Sequence, residues 1–265
     1  MANYEVFEVC AEDVTMKVNR FGRGKKPFVI IPGLSLTPVS QSAASVYGAY
    51  LKACDEYTVY VFDRKLNPEE GYTVRQMAAD TAKIMKKLGL ENAYAFGASQ
   101  GGMILQFLMI DYPELIKKAV IGSSMARETK EAREVIGRWI GLAASHEKRA
   151  LNHLCFEKIY SEEFLEKYKK ALPILEENGT EADCDNFVIL ARACDGFNAY
   201  DELYKVKCTV LVLGAGADKV VSPQGSREIA GKISGSELYI YEGASHSVYD
   251  EAPDYLDRIL SFFER

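Results

Sequence analysis

The chain begins with two segments, "YEVFEV" from Tyr4 and "VTMKVNRFG" from Val14, in which apolar and polar positions alternate residue by residue. Alternation of this kind predicts half-exposed antiparallel strands. The pattern then changes: "PFVIIPG" (27–33) and "YTVYVFD" (57–63) are continuous apolar runs, as expected of strands covered on both faces. A helical pattern over 40–54 lies between them. Next come an amphipathic helix "TVRQMAADTAKIMKKLGL" ending at Gly89, a strand "NAYAFG", a helix "GGMILQFLMIDYPE" reaching Pro113, and a strand "KKAVIGSS". Strands alternating with helices predict an α/β class, with a mostly parallel central sheet flanked by helices.

From about Arg127 to Lys205 the alternation stops. Helical patterns follow one another, among them "REVIGRWIGLAA", "SEEFLEKYKKALPILEEN" and "DNFVILARACDGF". The rhythm returns with the strand "CTVLVLGAGAD", a helix over "SPQGSREIAGKI", the strand "ELYIYEGASH" and a closing helix "APDYLDRILSFFER". The predicted organisation is a core made of 1–126 and 206–265, interrupted by a helical insertion at 127–205. No internal repeat or low-complexity tract interrupts this scheme.

Composition narrows the function. Apolar residues make up 48% and charged residues 26% of 265 positions, which implies a sizeable buried core rather than long disorder. The formal net charge is −6 and basic residues cluster no further than pairs such as Lys25-Lys26, so nucleic acid is not an expected partner. The opening "MANYEVFEVCAEDVTMKVNRFG" interrupts its apolar positions with charges, which fits neither a signal peptide nor a membrane span; a cytoplasmic location is expected. Six cysteines (Cys10, Cys54, Cys155, Cys184, Cys194, Cys208) occur without a C-x-x-C pair, so they are expected to be reduced and mostly buried. No metal centre or cofactor is expected, because the three histidines are scattered and "GAGADK" carries Lys219 where a dinucleotide fingerprint needs its third glycine.

The segment with chemical promise is "GASQGG" (97–102). Glycines flanking Ser99 at Gly97 and Gly101 allow a strand and the following helix to approach closely around a strained serine. A serine hydroxyl is a poor nucleophile at neutral pH and needs a base, itself oriented by a third group. Of the three histidines, His146 and His153 fall in the insertion and are expected to be surface or packing residues. His246, in "EGASHSVYDE" just beyond the last strand, has the position of a base. Asp218 follows the apolar strand "TVLVLGAGA", giving the chain order Ser99, Asp218, His246. Asp195, Asp201 and Asp250 are weaker rivals, since none follows a buried strand. An oxyanion needs N–H donors. One is expected from Gln100, at the start of the helix, and a second from Leu34, where Gly33 lets the chain turn after "VIIPG".

Taken together, the "PG" loop, "GASQGG", "GAGADKVVSP" and "GASHSVYDEAPDYLDRILSFF" resemble the α/β-hydrolase fold superfamily over nearly the whole chain, with 127–205 at the family's cap position. Many relatives carry His-Gly where this chain has Pro32-Gly33. The resemblance implies Ser99 as nucleophile, Asp218 as acid and His246 as base, with the backbone N–H groups of Leu34 and Gln100 as oxyanion donors. The expected function is a serine hydrolase of the carboxylesterase type, cleaving a small or medium ester, thioester, lactone or amide through an acyl-enzyme. Carbon–carbon bond hydrolysis, acyl transfer and short-peptide hydrolysis use the same residues, and a non-catalytic small-molecule receptor uses the same fold. Trp139, Ile140, Phe156, Tyr160 and Phe164 are candidates for an acyl pocket, although amphipathic helices bury such residues in any case. The expected partner is a small-molecule substrate, not a membrane; oligomeric state is left open.

Overall fold

The continuous apolar runs become the centre of an eight-stranded sheet in a computed structural model that describes residues 3–265. The strands are β1 (Tyr4–Ala11), β2 (Val14–Phe21), β3 (Lys26–Ile31), β4 (Tyr57–Lys65), β5 (Ala93–Ala98), β6 (Ile116–Gly122), β7 (Thr209–Ala215) and β8 (Glu237–Tyr241). Their order is β1-β2-β4-β3-β5-β6-β7-β8. The pairs β1·β2 and β2·β4 are antiparallel. All the others are parallel.

Three helices, α1 (Ala43–Ala49), α2 (Val74–Lys87) and α3 (Gln100–Asp111), precede β6. Five lie between β6 and β7: α4 (Lys130–Ala144), α5 (Lys148–Ile159), α6 (Glu162–Tyr168), α7 (Leu172–Leu175) and α8 (Glu181–Arg192). The chain closes with α9 (Ser222–Lys232), α10 (Val248–Glu251) and α11 (Tyr255–Glu264). The helical pattern read over 40–54 is in fact broken into α1 between two single turns, Val39–Ser42 and Leu51–Ala53. No side chain caps α1 and Gly48 interrupts it, so a longer helix has little local support.

Side-chain alternation divides the core. Phe28 and Ile30 face a cluster with Tyr255, Ile259, Phe262 and Phe263 of α11. Val29 and Ile31 face the opposite cluster, which takes in α2 and α3. All six residues of β5 are buried, because both sheet faces are covered there. Helix α2 starts at a capping box, Thr73 with Gln76, and turns its Met77, Ala78, Ile84 and Met85 inward. Helix α3 is buried from Gln100 to Met109, which is why its sequence is apolar nearly all round. The inserted helices have no separate core: Trp139, Phe187 and Leu190 belong to the same cluster as α2 and α3. Among the described residues, no helix is long and apolar enough to cross a membrane.

The cysteines depart from expectation in burial. All six are free, but only Cys184 and Cys194 are buried, and Cys10 is exposed because it lies on the outward face of the edge strand β1. His146 and His153 sit on the inserted helices as ion-pairing surface residues. His146 Nε2 meets Asp185 at 2.9 Å and His153 Nδ1 meets Glu176 at 2.7 Å.

The turn between β5 and α3 is the tightest place in the fold. A Cβ on Gly101 would lie 1.9 Å from the Ile31 carbonyl oxygen, and one on Gly97 would lie 2.5 Å from the Gly101 carbonyl oxygen. Backbone cannot yield as a side chain does. Gly101→Ala is therefore expected to lower stability by about 3 kcal/mol or more. Gly141→Ala, on the exposed face of α4 with nothing within 4 Å, should raise it by about 0.5–1 kcal/mol. Urea denaturation of the two variants checks the contrast; similar stabilities for both would contradict it.

A second expectation concerns pH. The hydrogen bond to Glu176 raises the His153 pKa above the ordinary histidine value; Glu157 adds to this and Arg149 opposes it. A raised folded-state pKa adds stability that is fully present below the unfolded value of about 6.5 and is lost as pH climbs through the folded value. The side chain of His153 is 59% exposed, so the contribution is about 0.5 kcal/mol at most. Thermal melts from pH 6 to 8.5 should show this small decline in the native chain and a flatter profile in His153→Gln.

Candidate active site

Three loops at the carboxyl edge of the sheet bring the chemistry together. The first leaves β5, where Ser99 adopts φ 53° and ψ −120°, a backbone conformation that non-glycine residues rarely hold. It is secured from several sides. The Ser99 N–H donates to the Gly122 carbonyl at 2.9 Å, and its carbonyl accepts from Gly102 N–H at 2.9 Å and from Ser124 Oγ at 2.8 Å. The second loop leaves β7 and carries Asp218; the third leaves β8 and carries His246. These two are tied by Gly216 N–H to the Tyr241 carbonyl, 2.8 Å, and Ala217 N–H to the Ala244 carbonyl, 2.9 Å.

The side chains form one hydrogen-bonded line. His246 Nδ1 lies 2.8 Å from Asp218 Oδ2, and His246 Nε2 lies 3.0 Å from Ser99 Oγ. An ionised carboxylate can only accept, so Nδ1 carries the proton, and Nε2 is left to accept from the serine hydroxyl. Asp218 Oδ1 accepts from the N–H groups of Val220 at 2.8 Å and Val221 at 3.0 Å. Burial alone would push this carboxyl up. The charge and hydrogen bond of His246 and the two backbone donors outweigh it and hold the pKa below the usual aspartate value. His246 and Asp218 are buried, whereas Ser99 stays partly exposed. Asp195, Asp201 and Asp250 make no hydrogen bond to His246; Asp250 instead accepts from Tyr160 Oη at 3.0 Å.

Next to the serine, the Gln100 N–H opens α3, where the first helical amides have no partner within the helix. The Pro32–Val39 segment passes close by: a Cβ on Gly33 would lie 3.2 Å from Ser99 Cβ. Among the described residues, neither the Gln100 N–H nor the Leu34 N–H is taken up by another acceptor.

Two clefts share this segment. One has a volume of about 360 Å³ and is walled by Trp139, Phe156, Ile159, Tyr160, Phe187 and Tyr249. Of the five aromatic and apolar candidates read from sequence, Trp139, Phe156 and Tyr160 border it; Phe164 stacks on Tyr160 at 4.1 Å between ring centres, and Ile140 packs against the core. The other cleft has a volume of about 120 Å³ and is bordered by Asp63, Arg64, Lys65, Gln100 and Phe187.

Sequence reasoning missed Arg64. Its Nη2 donates to the Pro32 carbonyl at 2.6 Å and to Gln100 Oε1 at 3.2 Å, and its Nε donates to Gln100 Oε1 at 3.3 Å. The available signal was a charged pair, Asp63-Arg64, at the carboxyl end of a buried strand, the same kind of position that singled out Asp218. Gln100 Nε2 in turn donates to the Leu190 carbonyl on α8 at 2.7 Å. No cluster of three or more His, Cys, Asp or Glu side chains placed to hold a metal occurs among the described residues.

Comparison with known proteins agrees with this architecture. Over 252 residues the chain is 22% identical to 3-oxoadipate enol-lactonase 2 of Acinetobacter baylyi, covering 92% of this chain and 90% of that protein. The crystal structure of the enol-lactonase from Burkholderia xenovorans LB400 superposes with a TM-score of 0.86 at 18% identity, covering 98% of this chain and all of the other. An esterase from Exiguobacterium antarcticum gives 0.83 at 17% identity with the same coverage. At these identities the structures speak to the fold. The model of the alpha/beta hydrolase fold family matches residues 26–253, and with that extent of agreement the chain belongs to the α/β-hydrolase family.

Proposed function

We propose that this protein is a serine hydrolase that cleaves a small or medium carboxylic ester, lactones included, through an acyl-enzyme on Ser99. The observation that carries the reading is the proton line from Ser99 Oγ through His246 to Asp218, with spacings of 3.0 and 2.8 Å. Membership of a hydrolase family and the likeness to an enol-lactonase and an esterase support the ester class.

In this reading Ser99 Oγ attacks the carbonyl carbon while its proton passes to His246 Nε2. The Gln100 and Leu34 N–H groups receive the negative charge that develops on the carbonyl oxygen. Collapse of the tetrahedral species breaks the bond to the alcohol, which leaves with the proton from His246. Water then attacks the acyl-enzyme, giving up one proton to His246, and the acid departs as Ser99 regains its hydrogen. Ester and water yield acid and alcohol, with nothing else consumed. Asp218 holds the imidazole in the required tautomer and stabilises its cation, a task suited to a carboxyl whose pKa is kept low. The helices of 127–205 act as a cap, and the large cleft beneath them takes the apolar part of the substrate.

Ser99→Ala should lower kcat by about a thousandfold or more with an unchanged Tm, and should abolish labelling by a fluorophosphonate. Undiminished labelling in that variant would overturn the proposal. Asp218→Asn, which leaves the histidine without its anionic partner, should cost about ten-thousandfold in kcat. Steady-state turnover of a panel of short p-nitrophenyl esters provides the measurement for both.

A further inference from the structure

Arg64 is a part-buried cation with no carboxylate hydrogen-bonded to it. The acceptors of its hydrogen bonds are a backbone carbonyl, that of Pro32, and a side-chain amide, that of Gln100. Both contacts use Nε and Nη2, so the two N–H groups of Nη1 have no partner among the described residues. The residue borders the smaller cleft. Two carboxylates border the same cleft, and neither is hydrogen-bonded to Arg64, although the charge of Asp63 acts on it through space and Asp63 Oδ2 has no partner among the described residues. Asp63 Oδ1 accepts from Ser40 N–H at 3.3 Å, and Asp183 Oδ2 accepts from Thr180 N–H at 2.8 Å and Thr180 Oγ1 at 2.7 Å. Burial without a paired anion pushes the guanidinium pKa down to about 10, which still leaves it charged at neutral pH.

Its location ties this charge to the site. Pro32, whose carbonyl holds Nη2, immediately precedes Gly33, the residue packed on Ser99, and Gln100 immediately follows Ser99. A ligand in the smaller cleft therefore reaches the guanidinium and the nucleophile's loop together. Lys65 borders the cleft as well and adds positive potential. A charge withdrawn from water is costly unless an opposite charge is paired and hydrogen-bonded to it, and here Asp63 acts on the guanidinium only through space.

We propose that Arg64 is a carboxylate-binding residue, and that the ester cleaved at Ser99 carries a free carboxylate on the part that enters the smaller cleft. The substrate class is then the half-ester or lactone of a short dicarboxylic acid, its apolar part lying beneath Trp139 and Phe156. A carboxylate suits Nη1 better than a phosphate dianion does, because one free guanidinium nitrogen offers a short donor edge and not a cage. This inference rests on the reading of Ser99 as an esterase nucleophile.

The test compares monoethyl glutarate with ethyl valerate, which differ only in a carboxylate against a methyl group, by ethanol release from the native chain, Arg64→Met and Arg64→Lys. The native protein should favour monoethyl glutarate in kcat/KM by about tenfold or more, mainly through KM. Arg64→Met should abolish the preference and Arg64→Lys should keep part of it. Equal use of both esters by the native protein overturns the proposal. So does an equal loss for both esters in Arg64→Met, which would make the guanidinium only a clamp on Pro32 and Gln100. Fluorophosphonate labelling of Ser99 separates the two readings: no labelling counts against the nucleophile, whereas labelling without carboxylate preference counts against Arg64 alone. If neither ester is consumed, thermal unfolding decides, since glutarate, but not valeramide, should raise Tm in the native chain. Absence of that shift overturns the proposal, and the native chain's own preference and shift decide should Arg64→Met fail to fold.

Discussion

At the start of α3 the backbone comes so near to the end of β3 that Gly101 has no room for a methyl group beside the Ile31 carbonyl. This approach is what forces Ser99 into φ 53°, a conformation that costs a non-glycine residue about 1–3 kcal/mol. Strand pairing on both sides of β5, together with the burial of α3, holds the turn in place against that cost. The consequence is geometric. Ser99 Oγ stands at the carboxyl edge of the sheet, within reach of a histidine that arrives from three strands further along.

The molecule treats its two charges near this edge differently. Asp218 is buried but fully satisfied, with one oxygen on His246 and the other on two backbone amides. Such a carboxylate holds an imidazole in one orientation and one tautomer. Arg64 has only neutral acceptors and keeps one nitrogen free.

The inserted helices are joined to the site by hydrogen bonds as well as by apolar packing. Gln100, next to Ser99, bonds to the Leu190 carbonyl on α8, and the N–H of Ser247, next to His246, bonds to the Ile159 carbonyl on α5 at 2.8 Å. Substitutions on α5 or α8 that move these carbonyls therefore act on the residues adjoining Ser99 and His246. The shared apolar cluster points the same way, since Trp139 and Phe187 pack in one core with α3.

Much of this was written in local pattern. Continuous apolar runs identified β3 and β4 as central strands because both sheet faces are covered, and "GASQGG" identified the turn because only glycine tolerates the approach on either side. The same patterns do not say which strand lies at an edge. "ELYIY" reads as a strand and forms the outermost one, β8, where Leu238 and Tyr239 are exposed and Arg258 lies 3.6 Å over the Tyr239 ring. By itself, the sequence determined the order of strands and helices, the serine turn and the residues worth testing as its partners, since each of these follows from neighbours a few positions apart. Only the tertiary structure decided which carboxylate meets His246, which aromatic side chains border open space, and that no carboxylate hydrogen-bonds to Arg64. Those depend on donors and acceptors brought together from distant segments, and no local pattern records their convergence.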